Sequence, residues 1–293
     1  MTDGHTKPAS SSSAGALNEN TTGYDWTATR GARWAAQVAG MEATLAPVEA
    51  PLLEALRLDA RYRIADIGSG GGATTFDVAR AAPAGSVVHG YDISPVLVAA
   101  ARARIGSATG VAFLEANTAT STPAAPYDRL VSRFGIMFFD DAPAAFANLA
   151  RWLVPGGRFA FAAWGPTAEN PWRVILREVV SAFVEIPTPK PDDPGPFRYG
   201  DAEKFLAILR GAGFRDVEAH EWRGALPIGG ALSAPDAARF ALAAFSSLDE
   251  LLAKSGAEAL QGAQRALTER FAKHEVGGAV KLDAFVRVFT GAR

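Results

Sequence analysis

The feature that most constrains this chain is the alternation of short apolar strands with helices from residue 61 to residue 165. Five apolar segments bounded by Gly, Pro or polar residues predict strands, at Arg63–Ile67, Ser86–Asp92, Val111–Ala116, Arg129–Arg133 and Arg158–Trp164. Strands that alternate with helices form a parallel sheet covered on both faces. We therefore predict a doubly wound α/β fold with a mostly parallel sheet.

The segments on either side of this core have a different character. Residues 1–22 are polar and predict a disordered tail, because they offer almost nothing to bury. Residues 23–60 carry apolar positions at steps of three and four, which predicts an N-terminal helical lid of two helices divided near Pro47 and Pro51. Residues 166–293 predict two last strands, at Val217–Trp222 and Phe285–Phe289, separated by a helical cap insert over 232–275. The complete sheet would then have seven strands.

Composition excludes several classes of chemistry. The chain has no cysteine, which removes thiol nucleophiles and Cys-ligated metals. Its four histidines are dispersed without ligand spacing, so we predict no metal site. A formal net charge of -2 is atypical of a nucleic-acid binder. No apolar run approaches the roughly 20 residues of a membrane span, and the N-terminus has no apolar core of a signal peptide, so we expect a cytoplasmic protein.

A glycine-rich loop, residues 68–72, lies directly between the first strand and the helix that follows it. Glycines there permit a sharp turn and a close approach to a ligand, whose polar groups meet N–H groups at the helix N-terminus. Asp92 ends the next strand, close to the roughly 20-residue offset at which an acidic residue meets ribose hydroxyls. The loop and Asp92 together predict a nucleotide-containing ligand.

The identity of that nucleotide stays open between two classes. The loop also fits the dinucleotide pattern G-x-G-x-x-A through Gly68, Gly70 and Ala73, which would suit NAD. Asp66, two residues before the loop, would direct a carboxylate at the ligand, repelling a pyrophosphate and attracting an ammonium or sulfonium. This favours a cationic amino-acid nucleotide and keeps an NAD-dependent oxidoreductase as the alternative.

Four motifs in order resemble a known family. Residues 66–72 (DIGSGGG) look like motif I of class I S-adenosylmethionine-dependent methyltransferases, and residues 90–94 (GYDIS) resemble their second motif. Residues 127–139 (YDRLVSRFGIMFF) look like their fourth-strand segment, and residues 153–159 (LVPGGRF) resemble the turn before strand five. The resemblance is to the UbiE-like small-molecule methyltransferases.

This resemblance implies S-adenosylmethionine as cofactor and a cofactor-binding core over 61–165. Asp66 would reach the ammonium of the cofactor, Asp92 the ribose hydroxyls, and Ile93 would pack on adenine. Where the family usually has an acidic residue for the adenine amino group, this chain has Asn117 and Thr118, and the Asn117 amide oxygen can accept that hydrogen bond. The implied cofactor-binding residues are Asp66, Gly68, Ser69, Gly70, Gly72, Asp92, Ile93, Asn117, Thr118, Ser132 and Arg133.

The acceptor is expected at the same edge of the sheet, because ligands of open α/β sheets bind at the carboxyl ends of the strands. The residues expected to form a lid or contact the acceptor are Tyr24, Trp26, Trp34, Met137, Phe138 and Trp164. They suit a quinone-like, aromatic or other natural-product acceptor. No base is evident; the candidate is His220, near the end of a predicted strand. A protein that binds the cofactor without methylating anything therefore stays a third hypothesis.

Overall fold

The structure is a computed structural model that describes residues 26–188, 190, 192–245 and 248–293. The predicted tail over residues 1–22 and the predicted lid residue Tyr24 lie outside the described residues.

One sheet organises the chain. Its strands are β1 (Arg63–Ile67), β2 (Val87–Asp92), β3 (Val111–Glu115), β4 (Tyr127–Arg133), β5 (Leu153–Trp164), β6 (Arg215–Pro227) and β8 (Ala279–Ala292), with the short β7 (Glu275–Val276) paired to β8. The sheet order is β3-β2-β1-β4-β5-β8-β6. Strands β1 to β5 pair in parallel, and β8 is antiparallel to both β5 and β6. The predicted doubly wound, mostly parallel α/β fold is confirmed.

The topology places a ligand site beside β1. The chain runs outward from β1 through β2 to β3, then returns to β4 on the other side of β1. The strand order therefore reverses at β1, and such a switch point opens a crevice at the carboxyl ends of the strands. Residues that end β1, β2 and β4 converge there.

The helices cover both faces of the sheet and the cavity edge. They are α1 (Thr29–Ala36), α2 (Val38–Leu45), α3 (Glu49–Leu56), α4 (Ala73–Ala81), α5 (Pro95–Ala103), α6 (Ala142–Trp152), α7 (Pro171–Ser181), α8 (Ala202–Gly211), α9 (Ala234–Ala244), α10 (Leu248–Lys254) and α11 (Ala257–Ala272). Aspartates begin two of them: Asp141 accepts from the Ala144 N–H and Asp201 from the Lys204 N–H. Among the helices of the described residues, none is both long and apolar enough to cross a membrane.

The N-terminal segment is divided differently from the prediction. Pro47 lies in a 3₁₀ turn over Ala46–Val48, which separates α2 from α3 where the prediction placed a break. Pro51 lies inside the first turn of α3, where its missing N–H would have no intrahelical partner, so it does not divide a helix. A further break falls at Gln37, whose φ of -113° leaves the helical region between α1 and α2. The prediction of two helices was therefore wrong, because residues 26–60, the described part of this segment, hold three α-helices.

The last two sheet strands, β6 and β8, form an antiparallel pair that brackets α9, α10 and α11. Both strands are longer than predicted. β6 is the edge strand at the end of the sheet opposite β3, and its charged residues interrupt the apolar pattern by which strands are recognised. β8 is buried along most of its length, because it lies between β5 and β6.

An aromatic core packs the sheet against α8. Trp152, Phe159 and Phe161 are almost completely buried, as expected for core rather than ligand-binding residues. Phe159 stacks on Phe161, and Phe205 stacks on Tyr199 with ring centroids 3.8 Å apart. Such close packing holds the sheet and α8 as one unit.

Candidate functional site

The glycine loop adopts a backbone that side chains resist. Gly68, Gly70 and Gly72 have φ values of +70°, +54° and +93°, in the left-handed region that favours glycine. A Cβ on Gly68 would lie 2.7 Å from the Gly135 Cα, so the loop and the segment after β4 also touch backbone to backbone. The tight turn leaves room for a ligand above the loop.

Neighbouring strands hold the loop in place. The N–H groups of Gly68 and Ser69 donate to the Tyr91 carbonyl at 2.8 and 2.9 Å. Ser132 on β4 donates its hydroxyl to the Ile67 carbonyl at 2.6 Å. The loop is thus fixed to β2 on one side and to β4 on the other.

Asp92 closes the connection between the loop and α5. Its Oδ2 accepts from the Gly70 N–H and its Oδ1 from the Ser94 N–H, both at 2.8 Å. Burial raises the pKa of this carboxyl, although the backbone hydrogen bonds act in the opposite direction. A buried, backbone-bonded carboxylate at the end of β2 suits the binding of ligand hydroxyls.

Asp66 is the most unusual group in the site. It is 1% exposed, and its Oδ2 accepts the Thr75 hydroxyl at 2.7 Å. Its Oδ1 is buried, and within the described part of the chain no donor reaches it. Burial raises the pKa of Asp66 to about 7, with a further increase from the nearby Glu49 charge.

A buried ion pair lies next to Asp66. Arg133 Nη1, at the end of β4, is 3.0 Å from Glu49 Oε2, and both side chains are 9% exposed. Glu49 begins α3 and accepts the Thr74 hydroxyl at 3.1 Å, while burial raises its pKa. Asp66 pairs in register with Val131, two residues before Arg133, so both side chains lie on one face of the sheet. Sequence reasoning found Arg133 but missed Glu49.

Asp66, Asp92 and Arg133 border a cavity of about 430 Å³ at the carboxyl ends of β1, β2 and β4. The cavity brings together fourteen of the predicted residues: Asp66, Gly68, Ser69, Gly70, Asp92, Ile93, Asn117, Thr118, Arg133, Trp26, Trp34, Met137, Phe138 and Trp164. It also includes Phe134, Leu97 and Phe245, which the sequence analysis did not assign. Polar groups cluster at the glycine loop, and aromatic rings form a large part of the remaining wall, together with a second polar group at Asp140 and Asp141.

The aromatic wall has a defined packing. Phe134 stacks on Trp164 with ring centroids 4.4 Å apart and planes 16° apart. Its backbone has a φ of +65°, an uncommon conformation for a residue of this size. Trp26 packs edge-on against Phe138 at 4.9 Å and against Trp34 at 5.8 Å. The N-terminal segment and the end of β4 thus enclose the same space.

A second ion pair fastens the N-terminal helices to the glycine loop. Arg104 at the end of α5 donates to both carboxylate oxygens of Glu42 on α2, at 2.7 and 3.0 Å. The same guanidinium donates to the Gly71 carbonyl at 2.5 Å. No sequence motif identifies this contact, because its three members come from separate elements.

Three predicted residues of the described chain are not brought into the cavity. Gly72 faces Phe113 beneath the loop, and Ser132 uses its hydroxyl on Ile67. His220 lies on β6, the outer strand, with its Nε2 3.2 Å from Thr290 Oγ1. β5 and β8 separate β6 from β4, so the structure does not place this histidine where a base would act.

Comparison with known proteins identifies the central segment. Residues 64–157 match the family described as methyltransferase domain. A trans-aconitate 2-methyltransferase of Streptomyces avermitilis is 35% identical over 123 residues, which is 40% of this chain and 44% of that protein. A demethylmenaquinone methyltransferase of Thermus thermophilus is 34% identical over 118 residues, 39% of this chain and 53% of that protein. The chain spans about half the length of the curated relatives it matches.

A solved structure shows the same fold. The magnesium protoporphyrin IX methyltransferase of Synechocystis, crystallised with bound S-adenosylhomocysteine, aligns with a TM-score of 0.52 and 15% identity. The alignment covers 92% of this chain and 96% of that one. The family match identifies residues 64–157 as a methyltransferase domain, and the shared fold agrees with that assignment.

Proposed function

We propose that this protein transfers the methyl group of S-adenosylmethionine to a small-molecule acceptor. The observation that carries the proposal is the Asp66 carboxylate, which lines the glycine-loop cavity with a buried Oδ1 that no described donor reaches. A buried acceptor without a partner is costly, and an ammonium group supplies the missing N–H donors. A pyrophosphate would instead bring negative charge toward Asp66.

The other polar groups fit the remaining parts of this cofactor. The Asp92 carboxylate accepts the Gly70 and Ser94 N–H groups, and the Ile93 N–H also interacts with it. Because each carboxylate oxygen can accept two hydrogen bonds, capacity remains for a ribose hydroxyl. Ile93 and Leu97 provide apolar surface at the same end of the cavity, suited to an adenine ring. Asn117 also lines the cavity, where its amide can bond to the edge of a base.

The contribution of the protein to the reaction is alignment and the exclusion of water. Bound S-adenosylmethionine supplies an electrophilic methyl group on a positively charged sulfur. Trp26 from the N-terminal segment packs on Phe138 at the cavity, and the stacked pair of Phe134 and Trp164 lines it as well. These rings hold an acceptor against the polar end and keep solvent out.

The acceptor that suits this wall is aromatic or otherwise apolar. The relatives are named for an organic acid, trans-aconitate, and for a quinone precursor, demethylmenaquinone. The stacked Phe134 and Trp164 favour a planar, quinone-like or aromatic natural product for this chain, because flat rings pack well on flat rings.

Ligand binding tests the cofactor assignment. We expect S-adenosylhomocysteine to raise the melting temperature and to bind measurably by calorimetry, whereas NADH should do neither. Asp92→Asn should remove most of the shift, and Asp283→Asn, an exposed aspartate on β8, should keep it. Binding of NADH in place of S-adenosylhomocysteine would favour the oxidoreductase alternative.

A second assay separates an enzyme from a cofactor-binding protein. S-adenosylmethionine with a labelled methyl group is incubated with the protein and a cell metabolite extract, and labelled products are identified by mass spectrometry. A labelled small molecule that depends on the protein supports the proposal. Binding without any transfer, across extracts from several growth conditions, would support the non-methylating hypothesis instead.

A further inference from the structure

We infer that Glu49, on helix α3, is a positioning residue that sets Arg133 and Asp66 to receive the amino-acid end of the cofactor. The inference rests on the proposed function. Glu49 lies in the N-terminal helices, outside the methyltransferase-domain segment. None of the four motifs contains it.

The first support is that Glu49 is buried where a glutamate rarely lies. It is 7% exposed, its Oε2 is 3.0 Å from Arg133 Nη1, and the Thr74 hydroxyl donates to the same oxygen. A buried carboxylate needs partners, because removing it from water costs more than a surface ion pair returns, and the partners of Glu49 are all on Oε2, since no described donor reaches its buried Oε1. Glu49 is thus held behind the cavity-lining Arg133 by β4 and α4 together.

The second support is the balance of charge among three neighbouring side chains. Asp66, Glu49 and Arg133 interact with one another, and with both carboxylates ionised they carry one net negative charge. Because Arg133 is paired with Glu49, the charge of Asp66 is not already neutralised, and a ligand ammonium beside Asp66 meets this excess negative charge. Without Glu49, Arg133 and Asp66 would already neutralise each other, and a ligand ammonium would gain less.

The third support is the geometry of the guanidinium. Arg133 lines the cavity, and its contact with Glu49 engages Nη1. A guanidinium has five N–H donors in a fixed plane, so fixing one edge orients the others. Glu49 therefore aims Arg133 so that its remaining donors can meet the carboxylate of the cofactor's amino-acid part, while Asp66 meets the ammonium.

Two ligands that differ only at this end test the inference. S-adenosylhomocysteine carries the ammonium and carboxylate, whereas 5′-methylthioadenosine has the adenosine and thioether without them. Calorimetry on the full chain should show that Glu49→Gln weakens S-adenosylhomocysteine binding about tenfold or more, the effect of losing one charge-assisted hydrogen bond. Binding of 5′-methylthioadenosine should change less than twofold.

Glu54→Gln is the matched control, because Glu54 lies on the exposed side of the same helix. It should leave both affinities unchanged. A loosened fold would weaken both ligands equally, so an equal loss with Glu49→Gln would overturn the inference, as would no loss at all. If Glu49→Gln does not fold, Glu49→Asp, which keeps the buried charge but shortens the reach of the carboxylate to Arg133, is held to the same two outcomes.

The controls separate this inference from the proposed function. If the unmodified protein fails to bind S-adenosylhomocysteine, the proposed function itself fails. If the unmodified protein binds and Glu49→Gln keeps the same ratio of affinities for the two ligands, only the role of Glu49 is wrong.

Discussion

Replacing Asp66 with asparagine should stabilise the ligand-free protein at alkaline pH and remove its affinity for S-adenosylhomocysteine. Burial raises the pKa of Asp66 from the ordinary 3.8 to about 7. The folded state therefore binds a proton more tightly than the unfolded state does. The stability that this proton contributes is fully present below pH 4 and is lost as the pH rises through 7.

The size of the effect follows from the same two values. The difference between 3.8 and about 7 corresponds to about 4 kcal/mol, which is an upper bound for the gain in Asp66→Asn at pH 8. The Thr75 hydroxyl can still donate to the amide oxygen, but the new NH₂ group needs an acceptor and costs about 1–3 kcal/mol without one. We expect a net gain of about 1–3 kcal/mol at pH 8. At pH 5 we expect almost none, because only about 1.6 kcal/mol of the stability linked to this proton has been lost there and the cost of the amide offsets it.

Urea unfolding at pH 5, 6, 7 and 8 measures this difference directly. The free energies of unfolding of native protein and variant should diverge as the pH rises, while Asp283→Asn tracks the native protein throughout. Curves that stay parallel across this range would refute the burial argument. Retained affinity for S-adenosylhomocysteine in Asp66→Asn would refute the role assigned to the carboxylate.

Three further substitutions test the glycine loop, the ion pair between Arg104 and Glu42, and the aromatic core. Gly68→Ala should destabilise the protein by about 2 kcal/mol and abolish the S-adenosylhomocysteine shift in a melting assay, because a Cβ would lie 2.7 Å from Gly135 Cα at a positive φ. Arg104→Gln should speed protease cleavage within α2 several-fold with little change in global stability, since its exposed pair with Glu42 contributes little energy but fastens α2 locally; unchanged cleavage would contradict this. Phe205→Ala should cost about 3–5 kcal/mol in chemical denaturation, because the ring is completely buried, and should leave the ligand affinity of the folded protein intact.

The parallel strands were predictable because their signal is local. β1 begins and ends where the apolar run and the glycine loop indicate, and β2 and β3 differ from prediction by one residue at one end. Buried parallel strands show continuous apolar runs with clear turns on each side. β6 lacks that pattern because it is an outer strand with alternating exposed residues, so only its centre was found.

The site was predictable to the extent that a single motif holds its residues. Asp66, Gly68 and Asp92 follow from positions at the ends of neighbouring strands. Glu49 was not predictable, because a glutamate in the first turn of a helix usually faces solvent and favours the helix dipole. Its burial depends on Arg133, which arrives from a strand far along the chain.

His220 shows the opposite case, a plausible residue in the wrong location. The predicted strand exists, but its place in the sheet depends on the order of strands rather than on the strand itself. The pairing of β6 with β8 puts His220 at the edge of the sheet. That pairing joins segments far apart in the sequence, so a local pattern does not reveal it.

The pairing of β6 with β8 also makes the segment between them exchangeable. Pro227 lies opposite Lys281, and the Ile228 N–H donates to the Val280 carbonyl at 2.9 Å, so the segment leaves and rejoins the sheet at one point. Ala244 and Phe245, at the end of α9, carry this segment to the cavity. Evolution or protein engineering can therefore graft a longer, shorter or chemically different segment between these two strands and reshape one wall of the cavity, without altering strand register or the glycine loop.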